Sequence, residues 1–487
     1  METFASKDIF FRITWNTTVL VSAQIIEKFV NFFIVVILVR YLSEGEFGQY
    51  GFISSYVILF NIFINLGVTG LSTREISQKP EMTPHILTAV LVPVLFSSIL
   101  TFLIIYWSIA LTKSGQTEII DSVKLAAAAL ILSNITDIFG TIPRSRERMM
   151  YTAIPRLIKQ VTFFLLCLLL LPKGIGLTGV FWLLLITGLI ELFLQIFFSV
   201  VILNVFPSRK FDISLCKRML KEAFPLAIVS VSVIIYYKID SVMLSYIQGD
   251  RQVGLYTAAY NLAFAFLFLG TSFNHAVFPV LSKLYINSSE KLFQIYRLSA
   301  KYLAVTGLPI CAGMILLSQR IVILVYGENY IYSSKALQIL MIAFLFMFIN
   351  GLMGNALIST GNQKGLARIV GRGALINVIL NLLIIPFYGF TGAASTTVIT
   401  ELYSFIASWL MLKNRHNITA HLPDFIRPIL SSVIMSFFVI AIYSIPIYII
   451  IPSAAAIYFS LLYISGGIGI KELSMVKELY SKRNNIS

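Results

Sequence analysis

Apolar stretches long enough to cross a bilayer recur along the whole chain, from Thr14–Val39 to Ser453–Ile470, and short polar clusters separate them. A helix needs about 20 apolar residues to span the hydrocarbon. The runs lack the ten-residue alternation of an outer-membrane barrel, so each must satisfy its own backbone as a helix. The pattern predicts fourteen spans, near 13–39, 46–66, 85–111, 123–143, 155–172, 177–206 and 223–247, then near 254–282, 301–325, 336–360, 373–387, 391–412, 428–447 and 453–470. The loops between them are too short to form a separate globular domain, which leaves any function to the helices.

Composition agrees. The 487 residues are 58% hydrophobic and 12% charged, whereas soluble domains carry about a quarter charged residues, and this excludes a water-soluble fold. The first apolar segment is too long for a cleavable signal peptide and holds Glu27 and Lys28 in its middle. A net charge of +15 invites a nucleic-acid partner, but the positions of the basic residues argue otherwise. Of 37 Lys and Arg, 28 fall on the termini and alternate loops, 7 on the other side, and Lys28 and Lys238 within spans. The rich side includes Arg144, Arg146, Arg148, Arg156 and Lys159, and the tail Lys471, Lys477, Lys482 and Arg483. By the positive-inside rule both termini are cytoplasmic, so the span count is even. Cys167 and Cys311 lie in apolar segments and Cys216 in a basic loop, which gives neither a metal site nor a disulfide framework. No Walker-type glycine loop binds ATP, and neither metal nor cofactor is expected. The acids on the other side (Glu44, Glu46, Glu118, Asp121, Asp250 and Glu328) are scattered, as a membrane glycosyltransferase or polymerase would not have them.

The chain repeats itself. Phe47-Gly48-Gln49-Tyr50, entering the second span, returns as Val253-Gly254-Leu255-Tyr256 entering the eighth, an offset of 206. Gly176-Leu177-Thr178-Gly179 after Pro172 returns as Gly389-Phe390-Thr391-Gly392 after Pro386, an offset of 213. Six spans separate each pair and an even number preserves orientation, so the halves read as parallel repeats about an axis along the membrane normal, an architecture of transporters.

Ionisable groups at membrane depth are costly and usually face a bundle interior or a wet cavity. In the first span Gln24, Glu27, Lys28 and Asn31 occupy one helix face, and Thr397, Thr400, Glu401 and Ser404 repeat the spacing in the twelfth. The fourth span carries Asp137 ahead of Arg144, the sixth Thr187, Glu191 and Gln195, the seventh Tyr237, Lys238 and Asp240, and the eighth His275. These stripes predict one shared central cavity. Each residue also has a plainer reading. Glu27 and Lys28 neutralise one another, Asp137 pairs with Arg144, His275 is an interhelical donor, and Glu191 and Glu401 are protonated acids bonding across helices. Lys238 lies about one helical turn from the repeat counterpart of Lys28, and two ammonium groups near a pseudo-twofold axis are suited to holding a diphosphate.

The chain resembles the polysaccharide (O-antigen type) flippases of the multidrug/oligosaccharidyl-lipid/polysaccharide exporter superfamily over nearly its whole length. The resemblance rests on Phe47–Tyr50, on Gly67–Glu75, on Lys238-Ile239-Asp240 followed by Gly254–Tyr260, and on Asn377–Thr396 with Asn381, Pro386, Gly389 and Gly392. It implies an all-α, MATE-like fold of two six-helix lobes in a V, with 1–212 and 213–420 as the lobes and 421–487 as two added helices and a cytoplasmic tail. It also implies alternating access by lobe rocking, with an oligosaccharide on undecaprenyl diphosphate as cargo, membrane lipids as surroundings, and a polysaccharide polymerase and chain-length regulator as partners in the cell inner membrane. On that reading Gln24, Lys28, Asn31, Tyr237, Lys238 and Thr397 contact the cargo, and Glu27, Asp137, Glu191, Asp240, His275 and Glu401 are the candidates for proton or sodium coupling. A drug or cation antiporter and a lipid II flippase share the fold and are the rival readings.

Overall fold

The computed structural model describes residues 2–65, 67–287, 289–416 and 423–467, so the basic tail Lys471 to Arg483 and the end of the fourteenth predicted span lie outside the described residues. The described chain is helical. In order the helices are α1 (Glu2–Tyr41), α2 (Glu44–Leu59), α3 (Asn61–Asn65), α4 (Val68–Gln78), α5 (Thr83–Thr112), α6 (Thr117–Ser145), α7 (Met150–Leu170), α8 (Gly176–Ile196), α9 (Ile213–Gln248), α10 (Asp250–Phe264), α11 (Leu267–Asn287), α12 (Ser289–Leu316), α13 (Ser318–Tyr326), α14 (Ser333–Ser359), α15 (Gln363–His416), α16 (Pro423–Ala441) and α17 (Ile447–Ile464). Large apolar side chains such as Phe96, Leu111, Phe193 and Phe387 point outward with more than two-thirds of their surface exposed. Such exposure is untenable in water and normal against lipid. The protein is a multi-pass membrane protein.

Among the described residues twelve helices are long and apolar enough to cross a membrane, or thirteen when the bent pair Asp250–Phe264 and Leu267–Tyr285, set at 44°, is taken as one span. One of the twelve, Gln363–Asn414, has 52 residues. Straight, it would reach about 78 Å, more than twice the hydrocarbon thickness. It is not straight. Gly389 has φ 54° and ψ −133°, a conformation that a residue without Cβ adopts freely. The two ends of the segment meet, since a Cβ on Gly365 would lie 2.5 Å from Met411 Sδ. α15 is therefore a helical hairpin with its turn at Gly389. The carbonyls freed at the turn accept from Gln248 Nε2 (3.3 Å to Ile385 O, 2.9 Å to Pro386 O), and Phe390 N–H donates to Gln252 Oε1 at 3.3 Å. A break in a membrane helix persists only where neighbours satisfy its backbone in this way.

The chain divides into two compact units, one of residues 10–257 and 378–393, the other of 1–9, 258–377 and 394–487. In the first, α6 packs on α5 and α8, α7 on α8, and α9 on α2, α4 and α5. Its core gathers Ile64, Val68, Leu71, Ile86, Val90, Ile138, Phe139 and Met219. The repeated motifs meet inside it. A Cβ on Gly48 would run into the Asp250 carbonyl, and a Cβ on Gly254 into the Glu44 carbonyl, so each glycine lets its helix lie against the start of the other's. Residues 44 and 48 touch the counterparts of 48 and 44, as a twofold contact requires. The lead glycines of the other repeated motif agree too, Gly176 at φ 64° and Gly389 at φ 54°.

In the second unit α12 packs on α14 and α16, α11 on α14, and α16 on α17. Val305, Leu317, Met435, Val439, Ile450, Tyr458 and Leu462 form its core, and Tyr458 Oη–H donates to Val305 O at 2.8 Å.

Candidate functional site

α1 turns Gln24, Lys28 and Asn31 to one exposed face, with Glu27 half-buried beside them. α9, packed into the same unit, presents an exposed Tyr237 and a half-buried Lys238. Tyr236 and Tyr237 meet edge to face, centroids 5.1 Å apart. The two lysines are close enough for the charge of Lys28 to act on Lys238. Among the described residues neither takes part in a hydrogen bond or an ion pair. Two like charges repel one another in a partly desolvated place, and Glu27, next to Lys28 in the chain, is the acid that feels the charge of one of them. The lysine pair becomes favourable when an anion sits between the two. A diphosphate supplies two negative groups and acceptor oxygens for both ammonium heads.

A second constellation lies in the same unit, where α6, α7 and α8 pack together. Lys159 Nζ donates to Glu191 Oε2 at 2.7 Å, and the carboxylate is almost fully buried. Asp137 is held by Arg156 at 3.0 Å and Arg144 at 3.6 Å. Glu27 of α1 lies in the electrostatic field of Arg156, Glu191, Lys28 and Lys159. The plainer sequence reading of Asp137 therefore holds, with a second arginine that spacing did not reveal. For Glu191 the structure gives an ion pair where the sequence suggested a protonated acid. Lys159 counted in the sequence as one more charge of the basic face; that α7 and α8 bring it against Glu191, 32 residues away, carries no local signal.

Asp240 is 3% exposed and accepts from Tyr256 Oη–H at 2.9 Å and Asn381 Nδ2 at 2.6 Å. Both partners belong to motifs that carried the family resemblance, which gives those motifs a physical role: they solvate a buried carboxylate. At the starts of α2 and α10 Arg251 binds Glu44 at 2.6 Å, and Lys113 binds Asp250 at 3.6 Å while lying over the Phe52 ring. Of the acids scattered in sequence, Glu44 and Asp250 are tied into ion pairs here.

The remaining predicted residues belong to the other unit. Thr397 and Glu401 are buried, and Asn350 Nδ2 donates to Glu401 Oε2 at 2.7 Å. His275 is exposed, while its neighbour Asn274 is buried and accepts at its carbonyl from Asn355 Nδ2 at 2.9 Å. The structure thus brings Lys28, Lys238, Gln24, Asn31 and Tyr237 into one unit, with Glu27, Asp137, Glu191 and Asp240. Thr397, Glu401 and His275 are carried by the other.

A protein of Shigella dysenteriae proposed to be an O-antigen transporter is 26% identical over 376 residues, covering 74% of this chain and 90% of its own. The capsular polysaccharide biosynthesis protein CapF of Staphylococcus aureus is 21% identical over 405 residues, covering 80% of this chain and 97% of its own. The lipid II flippase MurJ in an inward closed conformation superposes with a TM-score of 0.76 at 19% identity, over 91% of this chain and 98% of that one, which shows the shared fold. The MatE family pattern matches residues 225–383. The pattern of the polysaccharide biosynthesis protein family matches residues 13–285, more than half the chain, and to that family, on the MATE-like fold, the protein belongs.

Proposed function

We propose that this protein is a flippase that carries an undecaprenyl-diphosphate-linked oligosaccharide, the repeat unit of O-antigen or another surface polysaccharide, from the cytoplasmic to the outer leaflet of the cell inner membrane. The observation that carries the reading is the pair of like charges Lys28 and Lys238 in one unit of the membrane domain, neither of them in a direct ion pair among the described residues. A cation exporter has no use for it, because two ammonium groups repel the cargo. Gln24, Asn31 and Tyr237 beside the lysines supply hydrogen-bonding groups of the kind that replace water around sugar hydroxyls. Thr397 completes that set from the other unit.

The proposal extends to architecture. The hairpin in α15 counts as two spans and the bent pair as one, which gives fourteen with both termini cytoplasmic. Residues 1–212 and 213–420 are the repeat-related lobes, and 421–487 adds two helices and the tail. The protein acts by alternating access and not as an enzyme. Protons or sodium drive it through one of Glu27, Asp137, Glu191, Asp240, His275 and Glu401, and Glu27, which feels three basic residues and a second carboxylate and has no direct ion pair among the described residues, is the best placed of them. A polymerase and a chain-length regulator consume and measure the product.

Deleting the gene in its host tests the function. We expect one surface glycan to disappear and its lipid-linked repeat unit to accumulate facing the cytoplasm. Unchanged glycans with a new sensitivity to cationic dyes would instead establish a drug extruder.

A further inference from the structure

The ends of the α15 hairpin flank an open groove of about 310 Å³ that no cargo residue lines. One wall is Gly365, Arg368, Ile369 and Arg372, and the other includes Tyr403, Leu410, Met411 and Asn414. Each wall is one face of a helix, by its spacing of three and four residues. Gly365 allows the two helices to meet at Met411 and closes one end of the groove.

The lining is unbalanced in charge. Arg368 donates from Nε to Lys364 O at 3.2 Å, which leaves its other guanidinium donors available. Arg372 makes no hydrogen bond or ion pair among the described residues, and no carboxylate is among the residues that line the cavity. Two guanidinium groups one helical turn apart can take a tetrahedral anion in bidentate fashion. The surroundings say what carries that anion. Beyond the arginines the helix faces turn apolar and outward: Leu375 is 61% exposed, and Leu402, Ile406 and Leu410 on the opposite limb are 38%, 44% and 43% exposed. Trp409, with Lys413 5.1 Å from its ring centroid, marks the level of the headgroups, where aromatic and basic residues concentrate. A basic pocket between helices at the basic end of a membrane protein, opening onto lipid-facing leucines, is the arrangement that recognises acidic lipid headgroups.

We propose that this groove binds the phosphate headgroup of an anionic bilayer phospholipid, with its acyl chains along Leu375 and the Leu402–Leu410 face. The occupant is the bilayer lipid and not the transported one: a phosphoglycerol head fits a cavity of this size, whereas a head of several sugar rings does not. The site stands on its own geometry and holds whatever the cargo proves to be.

Native mass spectrometry of the full chain in a zwitterionic detergent, titrated with phosphatidylglycerol or phosphatidylcholine, tests it. The R368Q/R372Q variant should bind phosphatidylglycerol about thirtyfold more weakly, with phosphatidylcholine unaffected. K364Q/K413Q, which removes two charges beside the groove but not in it, should change the affinity by less than about threefold. Equal binding by R368Q/R372Q, or an equal loss in K364Q/K413Q, overturns the site. So does a parent protein that takes undecaprenyl diphosphate at these arginines in preference to phosphatidylglycerol. A second measurement needs no change in the groove. With Trp15, Trp107 and Trp182 replaced by Phe, brominated phosphatidylglycerol should quench Trp409 more strongly than brominated phosphatidylcholine, and equal quenching refutes the proposal.

Discussion

Lys28 and Lys238 repel one another and have no direct ion pair among the described residues, whereas Lys159 and Glu191 are held together, and the two arrangements predict opposite responses to substitution. Removing one of two like charges relieves their repulsion. Lys28→Gln and Lys238→Gln should therefore leave protein level and melting temperature unchanged or raised, while glycan export falls; Arg at either position should retain more export than Gln, because charge is what a diphosphate requires. Full export by the double Gln variant would remove the lysines from the mechanism. Breaking the buried pair does the reverse. Lys159→Met strands the Glu191 carboxylate, 7% exposed at its side chain, and should cost about 3 kcal/mol, the lower end of the range for a broken buried pair because Lys159 keeps contact with solvent. Glu191→Met should cost less, since the lysine left behind is the better solvated partner. The double Met variant should recover most of the loss, and thermal unfolding of the four proteins in detergent measures the cycle.

The tightest packing among the elements is where α2 and α10 begin. Gly48 and Gly254 leave no room for a methyl group, yet Gly45, one turn from Gly48, has nothing within 4 Å of an added Cβ. Gly48→Ala should lower stability by about 1–3 kcal/mol despite alanine's better helix propensity, because the atoms it meets are backbone and cannot rotate away. Gly45→Ala should leave the melting temperature unchanged or raise it, by up to about 1 kcal/mol in stability. A Gly48→Ala variant as stable as Gly45→Ala would show that helix propensity and not contact decides the result. At this scale the sequence was most legible. The repeated glycine-aromatic motifs marked helix starts that pack on each other, and long apolar runs announced the spans, because in lipid the backbone has no alternative to a helix. The α15 hairpin was read as two spans for the same reason. Partners were less legible. Asn381 meeting Asp240 across 141 residues, and Asn350 meeting Glu401, depend on which helices become neighbours, and apolar periodicity does not encode that. The Arg368 and Arg372 pocket was hidden differently: in sequence its arginines only add to the basic side.

For the molecule as a whole, the distribution of charge sets the orientation expected of the helices in the membrane. Lys and Arg resist translocation, and 28 of them against 7 is a bias that no single loop creates, since Arg144–Lys159, Arg209–Lys221, Lys364–Arg372 and the C-terminal tail all contribute. These clusters fall on one side only if the chain crosses an even number of times between them. Counting α15 as one crossing would put Lys364, Arg368 and Arg372 opposite Lys413, whereas the hairpin puts them together, as the contact of Gly365 with Met411 also requires. Orientation and hairpin are therefore tested by one experiment. A phosphatase reporter active only outside the cytoplasm should be silent when fused after Lys159, Arg218, Lys364, Lys413 or the C-terminus, and active after Gly115, Gly249, Tyr330 or Gly389. Activity after Lys413 with silence after Lys364 would mean that α15 crosses once. Activity at the sites expected to be silent, with silence at the others, would invert the molecule and place the lysines proposed to hold the cargo in a transporter working from the opposite face.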